Sequence, residues 1–211
     1  MTEWMLLEGQ TDYDDALSLM EDIVQKIITQ DSNDVVILAE HSDVITVGTG
    51  FLEQDIPKGL HIKKTGRGGK ITFHGKGQRL IYPIFDLKRS PWNRDIKKYI
   101  SFLHDWIIET LKIFGISSYK KHDFIGIWTS KEDQELKIAS IGIRVRKWIT
   151  YHGIGLNITT DLSKFDQFIP CGIKDVKMSS LKDLGFSVNF SEFDESLRDS
   201  FNKIKKIYQC Q

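Results

Sequence analysis

The chain is 211 residues long, 40% hydrophobic and 27% charged, which is enough to bury one sizeable core. Lys plus Arg number 29 and Asp plus Glu also 29, so no excess of either sign argues for a nucleic-acid or membrane-surface partner. The opening "MTEWMLLEGQTDYDD" has neither the basic and apolar regions of a signal peptide nor a membrane-spanning apolar run, and a cytoplasmic setting is expected.

The first element in chain order is a helix over "TDYDDALSLMEDIVQKIITQD". Leu17, Met20, Ile23, Val24, Ile27 and Ile28 recur at helical spacing, and Thr11 and Asp14 are placed as a capping box. Strand candidates follow at "VVILAE" and "DVITVG". The least regular internal stretch, residues 51–64, reads as a surface loop. Two more strands, "KITFH" and "RLIYPIF", precede a helix over "DIKKYISFLHDWIIETLKIFG", where Ile96, Tyr99, Ile100, Leu103, Ile107, Leu111 and Phe114 share a face and Gly115 supplies the stop. "FIGIWTS", "ELKIASIGIRVRK" and "WITYHGIGLNI" are further strands, the first two joined through a polar hairpin loop "SKEDQE". Phe193, Leu197, Phe201, Ile204 and Tyr208 space a last helix. Strands in consecutive runs with helices set apart predict an α+β fold with a mixed, largely antiparallel sheet and helices packed on it. Residues 1–211 form a single domain in this reading, with a small helical appendage from about residue 180.

Four segments are candidates for chemistry. In "TGRGGKITFHGKGQ", Gly66, Gly68, Gly69, Gly75 and Gly77 flank a short strand. Such glycines let backbone approach a ligand closely, and Arg67 offers planar donors for a carbonyl, carboxylate or phosphate; a ligand-free glycine-rich hairpin reads equally well. Neither the phosphate loop nor the dinucleotide fingerprint is matched, which disfavours nucleotide binding. Lys137 lies in a strand, where a lysine ordinarily points to water. The alternation breaks after Ile138, so a bulge at Ala139–Ser140 would turn Lys137 towards a cleft, where its ammonium would stabilise a thiolate. In "TYHGIGLNI", Gly153 and Gly155 leave room for an alkyl chain against the sheet, and His152 reads as an ordinary hydrogen-bonded core histidine rather than a general base. The six histidines, at positions 41, 61, 74, 104, 122 and 152, show no ligand spacing, and no metal is expected.

The fourth segment is "IPCGI". Cys171 and Cys210 are the two cysteines; Cys210 is penultimate and a reducing compartment is expected, so no disulfide is predicted. An apolar filler rarely needs a preceding Pro that fixes φ and a following Gly that frees it. Pro170-Cys171-Gly172 therefore suits a nucleophile held at the head of a turn. A free thiol is only slightly ionised at neutral pH and needs a cationic activator, for which Lys137 is the best candidate.

Together "LAEHSDVITVG", "RGGKITFHGKGQ", "LKIASIGIRVRKWITYHGIGLNI" and "IPCGI" resemble the lipoyl(octanoyl) transferase family in sequence and order over most of the chain. The resemblance implies a fold like that of the biotin and lipoate ligases, a mixed sheet with helices on one side. It implies transfer of octanoyl from octanoyl-acyl carrier protein to a lysine of lipoyl domains, those of 2-oxoacid dehydrogenase and glycine cleavage proteins, with no cofactor. Cys171 would be the acyl-thioester nucleophile and Lys137 the residue that lowers its pKa. Arg67, Gly68, Gly69, Lys70, Ile71, Thr72, Phe73 and His74, with Ser140, Ile141 and Gly142 and with Gly153, Ile154 and Gly155, would line the substrate site. The chain departs from the family where Lys76 replaces a proline of the glycine loop and where Ser42-Asp43 replaces Pro-Pro. An already activated acyl group needs no nucleotide, which agrees with the missing phosphate motif. The alternatives are an ATP-dependent lipoate or biotin ligase on the same fold and a catalytically silent lipoyl-domain binding module.

Overall fold

The computed structural model describes residues 2–53, 56–121, 123–170 and 176–210. Strand β1 (Thr2–Thr11) leads directly into helix α1 (Tyr13–Gln30). The cap of α1 is Asp12, whose carboxylate accepts from the Asp14 N–H at 2.7 Å, one residue later than the expected capping box at Thr11. Thr11 instead ends β1. Next come β2 (Asp34–His41), β3 (Val44–Val47), β4 (Lys63–Lys64), β5 (Ile71–His74) and β6 (Gln78–Ile84). Helix α2 (Ile96–Ile113) precedes β7 (Ile127–Lys131), β8 (Gln134–Arg146), β9 (Ile149–Asn157), a 3₁₀ turn at Leu162–Gln167, β10 (Lys177–Met178) and α3 (Phe190–Gln209). Asp95 and Asn189 cap α2 and α3 through their side chains.

The described strands make a larger sheet in the order β1-β2-β6-β9-β8-β10, with β7 also on β8, and a smaller one in the order β4-β3-β5. Pairing is antiparallel except for β1 on β2, β10 on β8 and β4 on β3. Alternation along the strands then divides the helices. Val36, Leu38 and Ile81 face the core of α2 and α3, whereas Val35, Ile37, Leu80 and Tyr82 face Met20, Val24 and Ile27 of α1. The helices thus cover both faces of the sheet, not the one side that the resemblance implied. A third cluster, with Val47, Ile71, Phe73, Phe165 and Phe168, fills the smaller sheet, and Phe51, Ile56, Leu60 and Ile62 of the irregular stretch pack against it.

Residues 180–209 share the main core. Leu181, Phe193, Leu197 and Phe201 are buried with α2, and the indole N–H of Trp106 donates to the Leu197 carbonyl at 2.8 Å. The guanidinium of Arg79 on β6 forms a buried ion pair with Asp194 of α3: Nη2 donates to Oδ2 at 3.0 Å, and Nε lies 3.0 Å from Oδ1 without hydrogen-bond alignment. No helix among the described residues is long and apolar enough to cross a membrane.

Candidate active site

A cavity of about 440 Å³ opens where β5, β6, β8 and β9 meet the loop before β5. It brings together segments far apart in the chain. Of the residues that the sequence nominated for substrate, Arg67, Gly68, Gly69, Lys70, Ile71, Thr72, His74, Ser140, Ile141, Gly142, Gly153, Ile154 and Gly155 all line it, as does Lys137. Phe73 does not. Its ring packs edge-on against Phe165 at 5.7 Å in the third cluster, because alternation along β5 turns it away from His74.

Residues 66–70 are held by backbone. Gly68 N–H donates to the Ile143 carbonyl at 2.8 Å, while the carbonyls of Arg67, Gly69 and Lys70 accept from Thr49, Gly50 and Gly48 at 2.8–3.0 Å. A Cβ on Gly48 would stand 2.5 Å from the Gly69 oxygen, and one on Gly142 would stand 2.8 Å from the Gly68 oxygen. Only glycine permits these approaches. The Arg67 guanidinium, expected to meet a ligand, braces the loop: Nη2 donates to the Thr46 carbonyl and hydroxyl at 2.9 and 2.8 Å, and Nη1 to the Gly68 carbonyl at 2.9 Å.

Lys137 is 2% exposed. The β7–β8 register passes from Lys137 opposite Trp128 to Ala139 opposite Ile127, leaving Ile138 as the extra residue of a bulge. The expected bulge exists, just before the Ala139–Ser140 position read from sequence. Lys137 Nζ donates to the Ile125 carbonyl at 2.9 Å and lies 5.6 Å from the Trp128 ring centre. Gly126 makes room for it, since a Cβ there would fall 2.5 Å from Lys137 Cε. Cys171 lies outside the described residues. The chain just beyond it is anchored at Lys137: Met178 pairs with that residue, and Ser179 N–H donates to its carbonyl at 3.0 Å. On the near side, Phe168 is buried against the third cluster.

A second set of polar groups lines the cavity beside Arg67. His74 Nδ1 donates to Gln78 Oε1 at 2.6 Å, because the Gln78 amide is committed as donor to Asn157 Oδ1 at 2.8 Å and to the Phe73 carbonyl at 3.2 Å. Asn157 passes the chain of bonds on to the Ser179 carbonyl at 3.0 Å. Burial, then the charge of Arg67, pushes the His74 pKa down to about 3. His152 is also pushed down to about 3 by burial and by Arg67 and Arg144. Its φ of 57° is left-handed inside a strand, and its Nδ1 stands 3.5 Å from the Tyr13 hydroxyl, while its buried Nε2 has no hydrogen-bond partner. The hydrogen-bonded core histidine expected from the sequence is present, buried and in contact with Tyr13, with one ring nitrogen left unpartnered and a left-handed backbone that the sequence reading did not include. Tyr13, pushed up to about 12 by burial, and Tyr82, which donates to His41 Nε2 at 2.7 Å, complete this side. Neither tyrosine was nominated from sequence; Tyr13 reads there as part of a helix start, and only the fold carries it to the cavity.

Residues 12–202 match the family model of the lipoyl protein ligase A/B catalytic domain. The chain is 46% identical over 209 residues to proteins named octanoyltransferase from Rickettsia peacockii (strain Rustic) and Rickettsia conorii, covering 98% of this chain and 100% of each relative. Among solved structures it is similar to the bipartite lipoate protein ligase described with its E2 lipoyl domain from Thermoplasma acidophilum, with a TM-score of 0.74 at 15% identity over 97% of this chain and 84% of that one. It is also similar to the biotin protein ligase from Aquifex aeolicus in complex with biotin and ATP, with a TM-score of 0.61 at 16% identity over 99% and 72% of the two chains. At these identities the two structures speak for the fold.

Proposed function

The chain belongs to the lipoyl protein ligase A/B catalytic family and is an octanoyltransferase; on that premise we propose that it carries the acyl group as a thioester on Cys171, with Lys137 as the activating cation. The observation that supports this reading is the position of Lys137. A lysine has been drawn into the wall of a cavity, at the strand against which the chain following Cys171 pairs. A thiol brought there would be ionised by the nearby ammonium.

In the proposed cycle the Cys171 thiolate attacks the carbonyl carbon of the donor thioester; a new C–S bond forms, the donor's own C–S bond breaks, and the donor thiolate leaves with the proton that the Lys137 ammonium gives up. The amine of the acceptor lysine then attacks the acyl-enzyme, forming the amide and returning the cysteine sulfur. Lys137, having given its proton to the departing donor, accepts the one that the amine sheds. The cavity wall between β8 and β9, with Ile141, Gly142, Gly153 and Ile154, gives the alkyl chain an apolar surface. The proposed donor is octanoyl-acyl carrier protein, and the proposed acceptors are lipoyl domains such as those of 2-oxoacid dehydrogenase and glycine cleavage proteins. The ATP-dependent ligase alternative has no observation in its favour beyond the shared fold.

Intact-mass measurement after mixing with octanoyl-acyl carrier protein tests the reading. An octanoyl adduct mapped to Cys171, formed without ATP and absent in Cys171→Ser, is expected. Transfer that requires ATP, or an adduct unaffected by Cys171→Ser, refutes it.

A further inference from the structure

The turn between β8 and β9 consists of Lys147 and Trp148, at φ 50° and 70°. Two-residue turns of this kind strongly prefer Asn-Gly or Asp-Gly, because bulky side chains resist the left-handed region. The β7–β8 turn has the same form with Glu132-Asp133, where the aspartate tolerates that conformation. A tryptophan has no such tolerance, yet Trp148 occupies the position and is 37% exposed. Its backbone is fixed, the carbonyl accepting from Leu87 N–H at 2.8 Å.

Three cations accompany it. Arg144 and Arg146 are exposed and continue the alternate row of Ser140 and Gly142, residues of the cavity wall, and Lys147 extends the row to the tip. No carboxylate among the described residues lies within ion-pair distance of any of the three, whereas Lys63, Lys120, Lys121, Lys164 and Lys203 are all so paired. Glu21, across Tyr151, is the acidic group whose field reaches that ring together with Arg144 and Arg146. The guanidinium of Arg144 packs on Gly66, where a Cβ would stand 2.3 Å from Nη1, so the basic row is fitted to the loop that rims the cavity. From Ile143, which lines the cavity, to the tip is four residues, about 13 Å of strand.

A chain with no net charge thus concentrates uncompensated positive charge and one strained, exposed aromatic on a rigid hairpin beside its cavity. We infer that this hairpin tip, Arg146, Lys147 and Trp148 with Arg144 behind them, is the docking surface for the acidic carrier protein that presents the acyl thioester. This rests on the octanoyltransferase reading. The carrier body stays outside while its acyl group enters, so the cations act on the encounter and not on the chemical step.

The test compares two donors, octanoyl-acyl carrier protein and a small octanoyl thioester without a carrier, each with wild type, Arg146→Glu/Lys147→Glu and Trp148→Gly. The double reversal is expected to lower kcat/KM for the carrier-bound donor about tenfold to a hundredfold at low ionic strength. The loss should shrink at about 1 M salt, where the Debye length is about 3 Å. The small thioester should be turned over as by wild type. Trp148→Gly relieves the backbone strain, so thermal stability is expected to hold or rise while carrier-dependent kcat/KM falls. Equal losses on both donors, or an undiminished rate with the carrier while wild type is active on both, overturn the docking assignment alone. A wild type idle on both donors overturns the transferase reading and this assignment with it. Retention of a single-stranded RNA by wild type and not by the double reversal, with carrier kinetics unchanged, assigns the surface to another partner and overturns it as well.

Discussion

Acid should unfold this protein through its buried histidines earlier than through its carboxylates. His74 and His152 are 7% and 2% exposed and are held down to about 3, against about 6.5 in an unfolded chain. A histidine depressed in the folded state contributes stability that is fully present above the unfolded value and is lost as pH falls towards the folded one. Between about pH 6 and pH 4 each therefore takes up its proton only on unfolding. The slope is about 1.4 kcal/mol per pH unit per group, so about 2.7 for the pair, and a fall of about 1.5 units removes about 4 kcal/mol. That is a large part of the 5–15 kcal/mol expected of such a domain. Other groups contribute as well: His41 is likewise lowered by burial, while Asp34 and Asp194, raised by burial, act in the opposite sense. His152→Asn isolates the effect, because asparagine does not titrate and tolerates the left-handed backbone. Urea denaturation at several pH values between about 7 and 4.5 gives the slope. The variant's slope should be shallower than wild type by about 1.4 kcal/mol per pH unit. Equal slopes would show that His152 is protonated in the native state, and the account of its burial would be wrong.

Lys137→Met should leave the fold standing and abolish acyl-enzyme formation: the Ile125 carbonyl loses its donor at a cost of about 1–3 kcal/mol, partly offset because a cation no longer has to be buried. Single-turnover mass measurement should show a fall of at least about a hundredfold in adduct formation. Gly153→Ala places a methyl 2.2 Å from the Ile81 carbonyl oxygen and 2.7 Å from Pro83 Cδ on the neighbouring strand. It should destabilise by about 1–3 kcal/mol, read as a fall of several degrees in Tm. Gly66→Ala meets only the far end of Arg144 and should cost under about 1 kcal/mol, so equal Tm losses in the two variants would contradict these contacts. Arg79→Ala leaves Asp194 buried without its partner and should cost about 3–5 kcal/mol in chemical denaturation, and a paired Arg79→Leu/Asp194→Leu variant should recover part of it.

The three helices were legible because each carries its apolar stripe at helical spacing, and α1 is capped at Asp12, one residue from the expected Thr11. Strand β1 was not. "TEWMLLEGQT" holds strong helix formers and no regular alternation, and it is a strand because the β2 edge takes it in parallel, a fact about residues 34–41. β4 and β10 are two residues long, too short for any period to show. The bulge was displaced for a similar reason: a break in alternation marks that a strand bends, but the extra residue is fixed by the register against β7. The direction of the His152 ring was not legible, because parity on β9 sets it with Ile154 and Leu156, towards α2 and α3. Its positive φ turns the ring the other way, to within 5.0 Å of the adjacent Tyr151 ring. A usable signal was present, since histidine is among the residues enriched in the left-handed region.

The glycines teach something different. In sequence they read as a cradle for a ligand, and several do line the cavity, yet the space that most of these spare is already filled by protein. Gly48 makes way for the carbonyls of Arg67, Gly68 and Gly69, Gly142 for the Gly68 carbonyl, Gly153 for Ile81, and Gly155 for the Gln78 side chain. Their role is to let loop and strands approach one another, and Arg67 spends its donors on the same stitching. Backbone contacts therefore fix how closely the loop and strands stand, and side chains such as Tyr13, His74 and Ile141 line the space they leave. A wall built this way is shaped before any acyl chain enters, and under the proposed cycle the chemistry falls to the few side chains that it buries, Lys137 first among them.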